Sequence, residues 1–205
     1  MKITLIGDSI RQQYQGRVSE LLGEGYEVYG PEENCRFSKY TLRGMWDWSE
    51  GMKNSRIVHW NNGLWDICNI FGDGMLFTSK EEYLENMLRI ADILLKRCDK
   101  LIFATTTPVR EANPYNKNSD IAEYNNILID KLKAKGVIIN DLYSTVAADI
   151  QRYVSYDNIH LTAEGIELCS KQVADAILAA ASGLTSHSEI ANECEDSRTG
   201  APVII

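Results

Sequence analysis

Apolar residues follow two rhythms along this chain, and the two alternate. Residues 2 to 6 (Lys-Ile-Thr-Leu-Ile) form a short apolar run that stops at Gly7, as in a strand buried on both faces. Residues 11 to 23 carry Val18, Leu21 and Leu22 at helical spacing and close with Gly23 and Gly25. Tyr26 to Tyr29 predicts a second strand, ended by Gly30-Pro31. Arg56 to Trp60 predicts a third that leads into Asn61-Asn62-Gly63. Between them, residues 31 to 54 are polar, aromatic and irregular, with a short helix expected near Thr41 to Trp48.

Beyond residue 78 the helical rhythm dominates. Ser79 reads as an N-cap, with Glu81 and Glu82 in the favourable first turn, and Tyr83, Met87, Ile90, Leu94 and Leu95 give a long amphipathic helix. Lys100 to Thr106 predicts a fourth strand, broken by Pro108. Asp120 reads as the cap of a helix with Ile121, Tyr124, Leu128 and Leu132 on one face, ending at Gly136. Val137 to Asn140 predicts a fifth strand, and a last helix is expected from about Thr162 to Ala181. This alternation implies βαβ units. The expected fold is α/β, a flavodoxin-like three-layer α/β/α sandwich around a five-stranded parallel sheet, in which ligands bind beyond the carboxyl ends of the strands. Residues 1 to 184 form the expected domain, and residues 185 to 205 read as a polar, acidic tail outside the sheet.

Composition narrows the function. A length of 205 residues suits one domain with a substantial core, and a net charge of −8 without any basic stripe argues against nucleic acid as a partner. No stretch approaches the roughly 20 apolar residues of a membrane span. The first residues run straight into a strand and lack a secretion-signal pattern, so a cytoplasmic location is expected, with a mature form whose leader has been removed as the alternative. Five cysteines (Cys35, Cys68, Cys98, Cys169 and Cys194) show no C-x-x-C pair, and three histidines lack ligand spacing; neither a disulfide framework nor a metal is expected. Cys98 and Cys169 read as small buried apolar residues.

Three segments carry candidate chemistry. Gly7-Asp8-Ser9 puts a hydroxyl at the end of the first strand and the start of a helix, where backbone N–H groups favour negative charge. Capping of that helix by Asp8 or Ser9 is the plainer role. Asp157 and His160 lie three apart before the last helix, so one turn lets the carboxylate orient the imidazole as a general base. Asn61-Asn62-Gly63 at the end of the third strand is either a turn or a source of an oxyanion donor. In the expected sheet all three segments converge on one edge, in the chain order Ser, Asp, His.

In these blocks the sequence resembles the SGNH (GDSL-like) hydrolase superfamily over residues 1 to about 182. Gly7-Asp8-Ser9-Ile10 looks like its first block, Asp157-x-x-His160 like its fifth, and His59-Trp60-Asn61-Asn62-Gly63-Leu64 like its third, with His59 in place of the usual glycine. The resemblance implies Ser9 as nucleophile, His160 as base, Asp157 as its orienting acid, and an oxyanion hole from the Ser9 N–H and the Asn61 amide. It also implies a second backbone N–H, from Cys35 or Gly44. Cys35-Arg36-Phe37-Ser38-Lys39-Tyr40-Thr41 is similar to a stretch of some sugar acetylesterases, with Cys35 in a glycine's place. No cofactor is implied.

Arg11, Arg36, Trp46, Trp48, Trp60, Asn62, Trp65 and Asp66 are expected near the pocket, with Arg36, Trp60, Asn62 and Trp65 as candidate substrate-binding residues. Aromatics beside polar groups suit a glycan ester. Arg110 and Asn113 read as a solvated loop near the same edge. The leading expectation is hydrolysis of short-chain acyl esters, acetyl above all, on carbohydrate through an acyl-enzyme. A lipase or thioesterase for longer chains and a non-catalytic binding module are the alternatives. The lipase alternative predicts an apolar channel beside Ser9.

Overall fold

A computed structural model describes residues 1–184, and the acidic tail expected at 185 to 205 lies outside them, as does Cys194. The chain alternates strand and helix as the apolar rhythm predicts. The strands are β1 (Lys2–Ile6), β2 (Glu27–Tyr29), β3 (Ile57–Trp60), β4 (Lys100–Ala104) and β5 (Ile138–Asn140). All pair in parallel, in the order β2-β1-β3-β4-β5. Of the helices, α1 (Ser9–Leu22) and α8 (Ala163–Ser182) pack on each other and α8 lies against β3, β4 and β5. On the other side α4 (Lys80–Leu94) packs between α2 (Ser38–Asp47) and α5 (Asn118–Ala134). The short helices α3 (Ser49–Met52), α6 (Leu142–Ala147) and α7 (Ile150–Tyr153) fill the connections.

Register places the chemistry. Ile3 pairs with Ile57 and Ile6 with Trp60, and the ladder continues through an Asn61 N–H to Ile6 carbonyl bond of 3.0 Å. Gly7-Asp8-Ser9 and Asn61 therefore leave adjacent central strands side by side. The contact is close enough to require glycine. A Cβ on Gly7 would lie 1.9 Å from Asn61 Oδ1 and 2.7 Å from Arg11 Cβ.

Some boundaries differ from the sequence pattern for identifiable reasons. Helix α2 begins at Ser38, not Thr41, because the buried Asp66 carboxylate accepts the Ser38 N–H at 2.9 and 3.1 Å and its hydroxyl at 2.6 Å. This cap arrives from 28 residues downstream, where local sequence does not announce it. Helix α5 begins at Asn118, and Asp120 sits in its first turn instead of capping it. Asn118 is itself engaged, exchanging both side-chain bonds with the backbone of Val109. Helices α6 and α7 lie in a stretch with no expected element. Asp141 and Asp149 cap them, accepting from the N–H groups of Ser144 and Arg152. At β1 the plainer expectation for Asp8 also holds, since its Oδ1 accepts the Ile10 N–H at 3.0 Å.

Two positions in this frame give measurable expectations. In the first turn of α8, a Cβ on Gly165 would meet the Tyr153 carbonyl oxygen at 2.3 Å, an atom already bonded to the Thr162 N–H. Gly165→Ala is expected to destabilise the protein by about 1–3 kcal/mol in denaturant unfolding, since backbone must shift to relieve the contact. Asp66 has no ion-pair partner among the described residues, and burial pushes its pKa up to about 6 from an ordinary 3.8. The folded state thus favours its protonated form. That contribution is complete below pH 3.8 and disappears as pH rises through about 6. Asp66→Asn removes the dependence, so unfolding free energies should move in the variant's favour by about 2 kcal/mol between pH 4 and pH 7.

Candidate active site

Ser9 is the first residue of α1, so its hydroxyl stands at the carboxyl edge of the sheet and its N–H belongs to the turn that lacks intrahelical acceptors. His160 Nε2 lies 2.8 Å from Ser9 Oγ, and His160 Nδ1 lies 2.7 Å from Asp157 Oδ2. The local sequence shapes this arrangement. Asp157 Oδ1 accepts the Ser155 hydroxyl at 2.7 Å and the N–H groups of Ile159 and His160 at 3.0 and 2.9 Å. Asn158 takes a left-handed φ of 71°, which asparagine tolerates, and the turn closes with a 2.7 Å bond from the Ser155 N–H to the His160 carbonyl.

Desolvation opposes ionisation of Asp157, but the bonds from Ser155, Ile159 and His160 outweigh it and hold the carboxyl well below the usual range. An ionised Asp157 accepts from Nδ1–H, which leaves the Nε2 lone pair toward the Ser9 hydroxyl. The turn is braced from outside. Gln13, one helical turn beyond Ser9, accepts the Leu161 N–H at 3.0 Å and donates to the Leu161 carbonyl at 3.3 Å. Arg110, expected in a solvated loop, instead donates to the Val154 carbonyl at 2.7 Å and the Gln151 carbonyl at 2.8 Å, and its N–H reaches the Asn158 carbonyl. Asn113 donates to that same carbonyl at 3.3 Å.

Asn61 also reaches the serine segment. Its Nδ2 donates to Asp8 Oδ1 at 3.1 Å, which uses one of two amide hydrogens, and Tyr14 OH stands 3.5 Å from its Oδ1. Asp8 is buried with Oδ2 unpartnered; burial raises its pKa, opposed by the Asn61 and Ile10 bonds and the Arg11 charge. His59, in the place of the block glycine, points to the helices. Asn140 Nδ2 lies 3.1 Å from its Nε2, Tyr14 packs edge-on against its ring, and burial pushes its pKa down to about 3.

Both candidates for the second backbone donor are engaged elsewhere. The Cys35 N–H donates to the Gly7 carbonyl at 3.1 Å, and Gly44 lies inside α2, its Cα facing the Trp48 ring. Two expected substrate-binding residues are structural. Trp60 is fully buried against Phe103, and its Nε1 donates to Asn62 Oδ1 at 2.7 Å. Asn62 is equally buried, its Nδ2 donating to the Arg36 carbonyl and to Thr41 Oγ1, so it fastens β3 to the 34–41 segment and its side chain has no free polar atom. Arg36 is exposed, with a φ of 51°, and stacks on Tyr40. Arg11 is buried and binds the carbonyls of Pro31, Glu33 and Gly7, so it shapes the loop instead of facing the pocket. Trp48 packs under α2, and Trp46 is exposed on it.

Trp65 does reach the site. With Ser9, Leu64, Cys68, Ile70, Tyr115, Asn116 and Ile159 it lines a cavity of about 140 Å³. Of these, Cys68, Ile70, Tyr115 and Asn116 carried no recognisable signal, because apolar residues in an irregular segment read as core or solvated loop. Asn116 donates to the Leu64 carbonyl at 2.9 Å, and so ties the 109–116 loop to the segment after β3. Among the described residues no cluster of His, Cys, Asp or Glu is gathered to hold a metal, and no helix is long and apolar enough to cross a membrane.

No family model matches this sequence, and no curated protein sequence matches it either. Solved structures do match its fold. An acetyl xylan esterase superposes with a TM-score of 0.72 at 19% identity, covering 86% of this chain and 100% of its own. A lipase/acylhydrolase from Enterococcus faecalis gives 0.71 at 18% identity, covering 86% and 94%. A GDSL-like lipase from Bacteroides thetaiotaomicron gives 0.68 at 18% identity, covering 87% and 88%. These proteins share the sheet order's parallel α/β design with helices on both faces, and by that architecture the chain has the SGNH (GDSL-like) hydrolase fold.

Proposed function

We propose that this protein hydrolyses carboxylic esters with Ser9 as nucleophile, through an acyl-enzyme. The observation that carries the reading is the continuous relay from Asp157 through His160 to Ser9, with contacts of 2.7 and 2.8 Å. His160 takes the Ser9 proton as Oγ attacks the ester carbonyl. The resulting imidazolium, stabilised by Asp157, gives that proton to the departing alcohol. Water then enters, loses a proton to His160 and attacks the acyl-serine, and the acid leaves as the proton returns to Ser9. The Ser9 N–H and the second hydrogen of the Asn61 amide are the donors for the oxyanion. Asp8 acts on Asn61 by holding its other hydrogen, which fixes the plane of the amide.

For the alcohol half of the ester, carbohydrate is the favoured class. Two observations support it. Two proteins of this fold are acetyl xylan or acetyl-xylooligosaccharide esterases. A cleft of about 470 Å³, lined by Arg110, Glu111, Asn113, Lys117, Asn118 and Gln151 among others, adjoins the Ser9 cavity at Asn116. Arg110, Asn113 and Asn118 are engaged with the backbone, and Glu111 and Lys117 offer charged groups of the kind that bind hydroxyls.

Ser9→Ala is expected to abolish p-nitrophenyl ester hydrolysis and covalent labelling by a fluorophosphonate, with an unchanged unfolding transition. Undiminished turnover in that variant would refute the assignment. Asn61→Ala should lower kcat by about 10²–10³, the range for one lost oxyanion donor. Steady-state kinetics on the folded variant reads this directly, and an unaltered kcat removes Asn61 from the hole.

A further inference from the structure

The wall of the cavity beside Ser9 bears on the acyl half of the substrate. Leu64, Trp65, Ile70 and Ile159 present hydrocarbon or indole, and Tyr115 and Cys68 add an aromatic face and a thiol. Two polar groups in this wall are engaged by the protein. The Cys68 thiol lies 3.0 Å from the Trp65 carbonyl, and Asn116 Nδ2 is spent on the Leu64 carbonyl. The cavity of about 140 Å³ opens to solvent at Trp65, Ile70 and Tyr115, and an apolar cavity of about 150 Å³ admits a guest as large as benzene. An acetyl group adds one methyl carbon to the reacting carbonyl and would leave most of that volume empty.

The apolar surface continues outward. Ile70 is 47% exposed, and Phe71 and Met75 beyond it are 78% and 72% exposed on the tip of the loop that Phe77 N–H to Cys68 carbonyl closes. Ile70 thus stands at the mouth, where the apolar lining of the cavity gives way to solvent.

Building on the serine-esterase reading above, we infer that the acyl group is a linear chain of about four to six carbons, seated against Leu64, Ile70, Tyr115 and Ile159, and not acetyl. Chains longer than this pass over Ile70 and Phe71, where solvent reaches them and each added carbon counts for little.

A series of p-nitrophenyl esters (acetate, butanoate, hexanoate, octanoate) tests the inference with the leaving group held constant. Each methylene buried in the transition state is expected to raise kcat/KM by about fourfold, equivalent to about 0.8 kcal/mol. Activity should therefore rise by about tenfold or more from acetate to butanoate, rise further to hexanoate, and level off at octanoate. Ile70→Trp places a larger side chain at a partly exposed mouth position where folding tolerates it. It should lower the hexanoate-to-acetate ratio of kcat/KM by about tenfold or more. A preference for acetate in the parent protein overturns the inference while leaving the serine mechanism in place. An unchanged ratio in Ile70→Trp overturns the seat against Ile70. Absence of both turnover and fluorophosphonate labelling defeats the serine reading itself, and this inference with it.

Discussion

The Ser9 hydroxyl meets an imidazole 151 residues away because α1 and the start of α8 are locked together at one end. Gln13 carries that lock. Its side-chain amide takes both backbone groups of Leu161, the residue next to His160, and it lies on α1 one turn past the serine. The strand end that releases Ser9 and the loop that presents His160 are thereby held to a common reference. Behind Leu161, the Thr162 N–H binds the Tyr153 carbonyl, and Thr162 Oγ1 caps α8 through Gly165. Displacement of α8 against α1 would open the contact between Ser9 and His160.

A second constraint operates on the opposite side of the serine. Four segments meet there without a single ion pair to join them: the end of β1, the 31–38 loop, the end of β3 and the 109–116 loop. Buried amides and carboxylates join them instead. Asn62 links β3 to Arg36 and Thr41, Asp66 caps α2, Asn61 binds Asp8, and Asn116 holds Leu64. Each such group costs desolvation, and a hydrogen bond to a fixed partner recovers it only in one geometry. Polar groups thus specify the position of the loops more sharply than apolar packing could. Asp66 shows the cost of the arrangement, since its carboxyl is pushed up to about 6 by burial without a compensating cation.

These two constraints leave the space between them to decide specificity. The relay from Asp157 to Ser9 is polar and compact, while the adjoining cavity is apolar and the cleft past Asn116 mixes charged, amide and aliphatic groups. Most of the walls of these two spaces come from the segment after β3 and the loop after β4, with Ile159 added from the turn that carries the relay. On the proposed esterase reading, acyl preference would rest chiefly on these loop residues.

How much of this was legible beforehand follows from the range of the interactions involved. Strands buried on both faces and helices with one apolar face impose their periods on neighbouring residues, so the five parallel strands and the long helices could be read directly. The segments around Ser9, Asn61 and Asp157–His160 were legible too, since a parallel sheet brings strand ends to one edge. Asn62 and Trp60 were not, because an amide or an indole in a motif looks the same whether it faces substrate or fastens a loop. Only tertiary structure decided that Asn62 is saturated, that Trp60 is core, that the Cys35 N–H is taken by Gly7, and that Gly44 lies under Trp48. The start of α2 was hidden for the same reason, its cap being supplied by Asp66 across 28 residues. Periodicity is a local property of the chain. Satisfaction of buried donors and the shape of a cavity arise from contacts between distant segments, and those exist only once the chain has folded.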